Sequence, residues 1–290
     1  MSLATSDKQS ESSKKALLSL DRIPPLSPVA TQLLGRLARR DCEIPELAEL
    51  IERDPLLSAQ ILAIANSAAF GRSHQISSIQ HAIAMIGLSA VRKFALARSI
   101  SNLFRRQKIA KSFSVTRFNL HSVATGMFLE LLAEAAPIEH AEDAFLAGLF
   151  HDVGKLVIAV ALPKEYESIL TAAAVTEESL LESERRILHT DHAELSALAI
   201  QRWGLDEPIR AAAEYHHDPE KAPPAPGKIA LAMAVSKVDA VVNAAGMSLM
   251  PPSPIPPKMP PLAFEGFALD QKALFERFAA EWKSSSAMFR

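Results

Sequence analysis

The stretch Ala144-Phe-Leu-Ala-Gly-Leu-Phe-His-Asp-Val-Gly-Lys-Leu-Val157 is apolar except for three side chains, those of His151, Asp152 and Lys155. It lies within a segment, 142–162, that we predict to be one helix. Neighbouring residues of a helix point about 100° apart, so a nitrogen of His151 and an oxygen of Asp152 can bind one divalent metal ion if other helices supply further ligands. A plainer alternative is a buried polar pair that hydrogen-bonds internally and to neighbouring helices.

The composition of the 290-residue chain favours a protein made of packed helices. Hydrophobic residues make up 49% and charged residues 22%, which is ordinary for a globular chain, and the length allows one large or two medium domains. Only 6% of the residues are aromatic, while alanine and leucine are abundant. No segment shows the sustained alternation of apolar and polar residues that is typical of a strand. We therefore predict an all-α fold.

Three features predict a cytoplasmic protein without a membrane segment. Cys42 is the only cysteine, so no disulfide can form within the chain and a reducing compartment is expected. Residues 1–15 are polar and rich in serine, unlike a secretory signal. The longest apolar run, 156–162, is far shorter than the roughly 20 residues that cross a bilayer.

Helix-start signals and proline content divide the chain into parts. Helices are expected to begin at Asp54-Pro55, at Asp191 and at Glu207-Pro208, because aspartate caps helix N-termini and proline fits the first turn. Seven prolines between Pro251 and Pro261 predict an extended linker. The predicted parts are a polar lead-in at 1–20, a main helical domain at 21–220, a further helix of the same bundle at 221–249, a linker at 250–267 and a terminal amphipathic helix at 268–290.

Charge is unevenly distributed, although the net charge is only −2. Residues 55–129 contain nine basic residues and no acidic one. An anionic or protein partner would explain this block, and so would pairing with acidic residues of the same fold. We do not expect nucleic acid, because no recognition-helix motif accompanies the block and stacking aromatics are few. The candidate binding residues are Arg92, Lys93, Arg98, Arg105 and Arg106.

Several motifs, in a fixed order over roughly residues 20–220, resemble the HDOD domain. The resemblance implies a multi-helix orthogonal bundle related to the HD and HD-GYP metal-dependent phosphohydrolases, here with C-terminal helices after a Pro-rich linker. It also implies a non-catalytic regulatory or protein-interaction role in bacterial signalling. The motifs are Ile23–Pro28, Asp54–Ser67, Ile76–Gly87, Ala147–Lys155, His192–Ala197, Trp203–Arg210 and His216-His217.

The same resemblance implies a set of metal ligands. Iron, manganese or zinc would suit ligands that are mostly imidazole with one carboxylate. Lys155, three residues after Asp152, would steady a phosphate group if the site were catalytic. The candidate ligands are His121, His151, Asp152, His192, His216 and His217.

Two departures from the HD-GYP pattern predict that this site is incomplete. Asp218-Pro219 follows the histidine pair, where that branch has a glutamate and a Gly-Tyr-Pro signature. Alignment of the last ligand segment puts Ser236 at the position of the final aspartate and Asp239 three residues later. Serine is a poor metal ligand, so we expect no cofactor, with a divalent metal as the alternative if the site is intact.

Two functions follow from these observations. The first is a regulatory module that acts by binding a signalling protein and has a degenerate HD-type metal site. The alternative is a divergent metal-dependent phosphohydrolase acting on a nucleotide or cyclic dinucleotide, which the number of retained ligands favours. The sequence does not indicate the oligomeric state.

Overall fold

The computed structural model describes residues 23–37, 43–67, 75–105, 107–176, 178–249 and 258–289. Within these segments there is no β-strand, only two isolated bridges, and the predicted all-α fold is confirmed. The helices are α1 (Pro28–Leu37), α2 (Ile44–Glu52), α3 (Pro55–Ala65), α4 (Ile79–Ile86), α5 (Leu88–Phe104), α6 (Val115–Ala135), α7 (Ala144–Phe150), α8 (Val153–Ala161), α9 (Pro163–Val175), α10 (Leu180–Leu188), α11 (His192–Arg202), α12 (Glu207–Tyr215), α13 (Leu231–Ala244) and α14 (Gln271–Ser285).

The helix starts that the sequence predicts are present. The Asp54 carboxylate accepts hydrogen bonds from the backbone amides of Leu56 and Leu57 and caps α3. Asp191 caps α11 through the amide of Glu194. Proline at the second residue of α12 fits the first turn, where its missing amide hydrogen is not needed. The predictions on residues 1–20, Cys42, Arg106 and 250–257 lie outside the described residues.

The helices form two compact units, which we describe separately. The smaller unit contains α1–α5 and the C-terminal end of the chain. Asn66 follows α3, and its side chain both donates to the carbonyl of Ile76 and accepts from the amide of Ile76, at 2.8 Å each. The side-chain amide of Asn66 also donates a hydrogen bond to the backbone carbonyl of Leu62 in α3. A single side chain thus fixes the approach to α4.

The larger unit contains α6–α13 and most of α14, with α6 buried along most of its length. Close helix crossings depend on glycine. A Cβ on Gly148 of α7 would lie 2.6 Å from the backbone of Gly126 in α6, and a Cβ on Gly154 of α8 would lie 2.0 Å from the His192 carbonyl of α11. These two contacts bring α6, α7, α8 and α11 together at one place.

The predicted single helix over 142–162 is wrong in one respect. A 3₁₀ turn covers Ala141–Asp143, α7 ends at Phe150, and α8 begins only at Val153. His151 and Asp152 form the turn between the two helices, where Asp152 has φ −104° and ψ 8°. Asp152 occupies the N-cap position of α8 without capping it, because its carboxylate is engaged elsewhere.

By length and composition alone, the apolar stretch Ala141–Ala161 could cross a membrane. It is mostly buried inside the larger unit, as expected for a core segment, and the turn at His151 and Asp152 interrupts it. Helices corresponding to the predicted segments at the C-terminal end are found as α13 and α14. Residues 258–267, in the described part of the predicted linker, are not helical.

We predict that Gly148→Ala lowers the free energy of unfolding by about 1–3 kcal/mol, the usual cost of overpacking, because the new methyl group would meet backbone atoms that cannot rotate away. Chemical denaturation measures the change. Gly35→Ala in α1 is the matched control, since no atom of the described residues lies within 4 Å of its Cβ position and alanine is the better helix former. Equal stabilities for the two variants would contradict the close crossing of α6 and α7.

Candidate metal centre

Four side-chain atoms from three parts of the larger unit converge in the first cluster. His121 Nε2, on α6, lies 3.3 Å from His151 Nε2, 3.3 Å from Asp152 Oδ2 and 3.1 Å from Asp239 Oδ1, on α13. His151 Nε2 lies 3.5 Å from Asp152 Oδ2 and 3.4 Å from Asp239 Oδ1. All four residues are buried. The turn between α7 and α8 therefore places the side chains of His151 and Asp152 against helices α6 and α13.

Hydrogen bonds on the far side of each ring orient the two histidines. His121 Nδ1 lies 3.0 Å from the Met247 carbonyl oxygen, and His151 Nδ1 lies 2.7 Å from that of Gly148. A carbonyl oxygen only accepts hydrogen bonds, so we assign the ring proton to Nδ1 in each. In the neutral rings, both Nε2 lone pairs then face the cluster beside two carboxylates. Such a set of acceptors needs a shared proton or a cation.

A second cluster adjoins the first through Asp152. Its other oxygen, Oδ1, lies 3.3 Å from His192 Nε2 and 3.8 Å from His216 Nε2. His217 Nε2 lies 2.8 Å from His192 Nε2. His216 donates its Nδ1 proton to the Ala213 carbonyl, so its Nε2 lone pair also points inward. Asp152 Oδ1 and His216 Nε2 are buried without a hydrogen-bond partner among the described residues.

The electrostatics of the first cluster favour a protonated His121 and two ionised aspartates. Burial disfavours the charged form of His121, but hydrogen bonds to Asp152 and Asp239 outweigh it and raise the pKa of His121 to about 9. Burial likewise opposes ionisation of both aspartates. The ammonium of Lys155 and the His151 ring overcome it for Asp152, and the contacts with His121 and His151 do so for Asp239, so both carboxyl pKa values fall well below their usual range.

The second cluster is electrostatically different. Burial and the neighbouring histidines lower the pKa of His216 well below its usual range. Burial, His192 and Lys155 lower the pKa of His217 to about 4. Both rings are therefore neutral at pH 7, the state in which imidazole binds a metal.

The donor atoms fit divalent metal ions. Four ligands at about 2.0–2.1 Å from one ion in tetrahedral geometry lie about 3.3 Å from one another, and the distances measured in the first cluster are 3.1–3.5 Å. Two imidazoles and two carboxylates suit iron, manganese or zinc. In the second cluster, His192, His216 and His217 offer ligand atoms within 4.8 Å of one another, and Asp152 Oδ1 lies beside His192 and His216. Asp152 can bridge two ions through its two oxygens.

Supporting hydrogen bonds fix the ligands from outside. The buried Glu184 carboxylate accepts from both the backbone amide and the Nδ1 of His192, at 2.9 and 2.6 Å. Ser196 Oγ accepts from the Gly154 amide and donates to the His192 carbonyl. Asn243 donates to Asp239 Oδ1 at 2.9 Å. Partners of this kind hold a ligand ring or carboxylate in one orientation and tune its basicity.

The expectation of a missing final aspartate is wrong. Asp239, not Ser236, supplies the carboxylate on α13, and its Oδ1 belongs to the same group of donor atoms as His121, His151 and Asp152. The structure brings all six predicted ligands into the two clusters. Lys155 contacts Asp152 Oδ2 at 2.6 Å with 15% of its side chain exposed.

Sequence reasoning missed Glu184 as well as the role of Asp239. Glu184 lies four residues before the buried Leu188 on α10, so a carboxylate on the inward face of an amphipathic helix was the available signal.

Four of the five basic residues proposed for an anionic or protein partner lie on and just after α5, in the smaller unit. The fifth, Arg106, lies outside the described residues. Lys93 is buried. Arg98 is half-buried over the ring of Phe94, and burial lowers the pKa of its guanidinium. Arg105 is exposed, and Arg92 is partly exposed. A partner-binding role for these residues stays a prediction.

We predict that Glu184→Gln weakens binding of Zn²⁺ or Mn²⁺ by about 10–100-fold, the usual effect of losing an outer hydrogen-bonding carboxylate, since a neutral amide supports the His192 ring less strongly. Titration against a competing chelator measures the affinity. Glu194→Gln is the control. Glu194 lies only two residues from His192, but its side chain is exposed and accepts a hydrogen bond from Thr190 instead. If Glu184→Gln binds these ions as tightly as wild type, the hydrogen bond between Glu184 and His192 does not contribute to metal binding.

Comparison with known proteins gives the same architecture. An HDOD domain protein of unknown function from Geobacter sulfurreducens is 22% identical, with a TM-score of 0.73 and 97% of each chain covered. A protein from Marinobacter aquaeolei, provisionally named for signal transduction, is 18% identical with a TM-score of 0.72, covering 97% of this chain and 65% of that one. A provisionally named phosphohydrolase from Shewanella amazonensis is 20% identical with a TM-score of 0.67, covering 96% and 97%. At these identities the likeness shows a shared fold.

The curated relatives that the chain matches are longer proteins, and the chain spans less than half of their length, 42% and 34%. The family model of the HDOD domain matches residues 23–219, which is more than half of the chain. This match contains His121, the turn at His151 and Asp152, and the histidines at 192, 216 and 217, and it shows that the chain belongs to the HDOD domain family.

Proposed function

We propose that this chain is a regulatory signalling module of the HDOD family whose HD-type centre binds divalent metal ions. The observation that carries the proposal is a set of four donor atoms, from His121, His151, Asp152 and Asp239. In this set the two imidazole nitrogens lie 3.1–3.5 Å from each other and from both carboxylates. The sequence alone predicts a degenerate site, because Ser236 aligns with the last carboxylate. The position of Asp239 beside His121 supports a complete one.

Limited access to the centre favours regulation over catalysis. The side chains of His121, His151 and Asp152 are at most 1% exposed, and Asp239 and Lys155 are 12% and 15% exposed. An ion can be held by such buried ligands, but a phosphate ester must also reach it. Proteins with this fold include one provisionally named for signal transduction, which agrees with a regulatory role. We propose that the output is binding of another signalling protein.

We predict near-stoichiometric iron, manganese or zinc in the protein purified without chelator. Asp152→Ala removes the bridging ligand and should lose most of the metal, whereas Asp239→Asn weakens only the first cluster and should lose part of it. Elemental analysis of the dialysed proteins measures both losses. Glu276→Gln, on the exposed face of α14, is the control and should keep the wild-type content. Folded wild-type protein that stays metal-free after incubation with all three ions would contradict the proposal.

A metal-dependent phosphohydrolase is the second candidate, and the position of Lys155 favours it. A pair of bound metal ions would activate water for attack on a phosphate ester. Lys155 lies beside the bridging Asp152, and its positive charge is stabilised there because the nearby carboxylates outweigh burial and raise its pKa. The same ammonium could contact a phosphate oxygen at the edge of the centre.

Hydrolysis of bis(p-nitrophenyl) phosphate and of cyclic dinucleotides by the metal-loaded protein separates the two candidates. For the regulatory module, we predict turnover no higher than that of Asp152→Ala. Turnover that is lost in Asp152→Ala and reduced in Lys155→Ala would instead establish the hydrolase. Lys164→Ala, on α9 and outside both clusters, is the matched lysine control.

A further inference from the structure

An arginine of α10 connects the two chain segments that carry His192 and His217. Arg185 Nε lies 2.8 Å from Asp191 Oδ2, and its Nη2 lies 3.3 Å from Asp218 Oδ2. Asp191 directly precedes His192, and Asp218 directly follows His217. One guanidinium therefore lies between the chain neighbours of two candidate ligands in the second cluster.

His217 is the candidate ligand whose ring has the least support of its own. The other four candidate histidines each have a hydrogen bond at Nδ1, either to a backbone carbonyl or to the Glu184 carboxylate. Within the described part of the chain, no hydrogen bond involves Nδ1 of His217, and its Nε2 contacts only His192. The placement of this ring therefore depends on where the backbone lies at the end of α12.

Asp218 holds the backbone at that point. Its amide donates to the Tyr215 carbonyl at 3.0 Å and closes the turn after α12. Its carboxylate accepts hydrogen bonds from Lys221, which belongs to the same turn, and from Arg185. Among the described residues, Arg185 is the only one from another helix that contacts this carboxylate. It therefore fixes the turn after His217 relative to α10.

The second contact of Arg185 holds the start of α11. Asp191 is buried, and its two carboxylate oxygens have different partners: Oδ1 accepts from the Glu194 amide and Oδ2 accepts from Arg185. A buried carboxylate oxygen that loses its partner is costly. Arg185 therefore stabilises the position of the residue that leads directly into His192.

The helix that carries Arg185 is itself firmly held. Ser179 and Glu182 form a capping box at the start of α10. Glu178 accepts hydrogen bonds from Ser183 and from Arg186. Because both contacts hold the first turns of α10, this helix offers a fixed support for the Arg185 side chain.

We propose that Arg185 is a positioning residue of the second cluster, which sets the separation of His192 and His217 and so the affinity for the ion bound there. Its contacts are with Asp191 and Asp218, so it acts through these chain neighbours and not on the ion. The inference rests on the proposed metal centre and assigns to one residue the control of its second ion. The first cluster is built on α6, α13 and the turn between α7 and α8, which Arg185 does not contact.

Arg185→Gln tests the inference, because it removes both ion pairs and keeps most of the side chain. Titration of chelator-stripped protein with Mn²⁺, followed by dialysis and elemental analysis, gives the number of bound ions and their affinities. We expect the variant to bind the second ion about 10–100-fold more weakly than wild type, as is usual when an outer partner of a ligand is lost. The affinity for the first ion should not change.

Arg186→Gln is the matched control. Arg186 is the next residue on α10, and its side chain is 51% exposed against 48% for Arg185. It forms an ion pair of similar length, 2.8 Å, but with Glu178, which adjoins no candidate ligand. This variant should bind both ions as tightly as wild type.

Electron paramagnetic resonance of the Mn²⁺-loaded proteins gives a readout that loss of a surface ion pair alone would not change. Two Mn²⁺ ions bridged by Asp152 are magnetically coupled, whereas one ion alone gives the signal of an isolated centre. At a Mn²⁺ concentration that fills both sites of wild type, Arg186→Gln should give the coupled signal. Arg185→Gln should give mostly the isolated one.

The outcomes separate this inference from the proposed function. Equal affinities for the second ion in wild type and Arg185→Gln would overturn the role of Arg185 and leave the metal centre intact. A wild type that binds one ion only would do the same, because the second cluster would then hold none. Joint loss of both ions in Arg185→Gln would overturn the selective role and make Arg185 a general structural residue. Wild type without any bound ion would contradict the metal centre itself.

Discussion

The carboxylate of Asp152 is the group around which the larger unit is organised. It is almost completely buried, and an ionised carboxylate is strongly disfavoured in the protein interior unless positive charge and hydrogen bonds surround it. Lys155 contacts Oδ2, His121 and His151 lie near that same oxygen, and His192 and His216 lie near Oδ1. Each of these partners comes from a different turn or helix. Compensation of one charge therefore requires α6, α11 and α12 to end up in fixed positions around the turn between α7 and α8.

That requirement explains why the turn exists. A continuous helix through 142–162 would use Asp152 as an ordinary interior residue, whereas the break releases the carboxylate to face both clusters. Glycines make the surrounding approach possible, because Gly154 lets the His192 carbonyl of α11 come within 2.0 Å of where a Cβ would stand. The local backbone, the helix crossing and the charge compensation are thus parts of one arrangement.

The sequence predicts the all-α fold, most helix positions and six of the seven candidate ligands in the central clusters, because most of these residues lie in short motifs. Prediction from the sequence fails for residues whose role depends on which face of a helix they occupy rather than on a motif. Ser236 and Asp239 are three residues apart and lie on neighbouring sides of α13, so residue-by-residue alignment could not tell which of them reaches His121. Glu184 has no motif at all, since its role depends on the distance between α10 and the start of α11. The break at His151 was hidden because the flanking residues are uniformly apolar.

The proposed metal binding gives the centre a physical means of regulation. Without an ion, the first cluster retains a proton on His121, whose pKa of about 9 reflects two carboxylates that need a positive neighbour. In the second cluster the rings of His216 and His217 are neutral, and two buried atoms have no hydrogen-bond partner among the described residues. This cluster therefore has no comparable substitute for an ion. Loss of metal would therefore weaken the contacts of α11 and α12 with Asp152 more than those of α6 and α13. Because the two sides of one carboxylate would differ in stability, metal occupancy could change the positions of α11 and α12 while the rest of the unit stays folded. A regulatory module needs a response of this kind from its metal site.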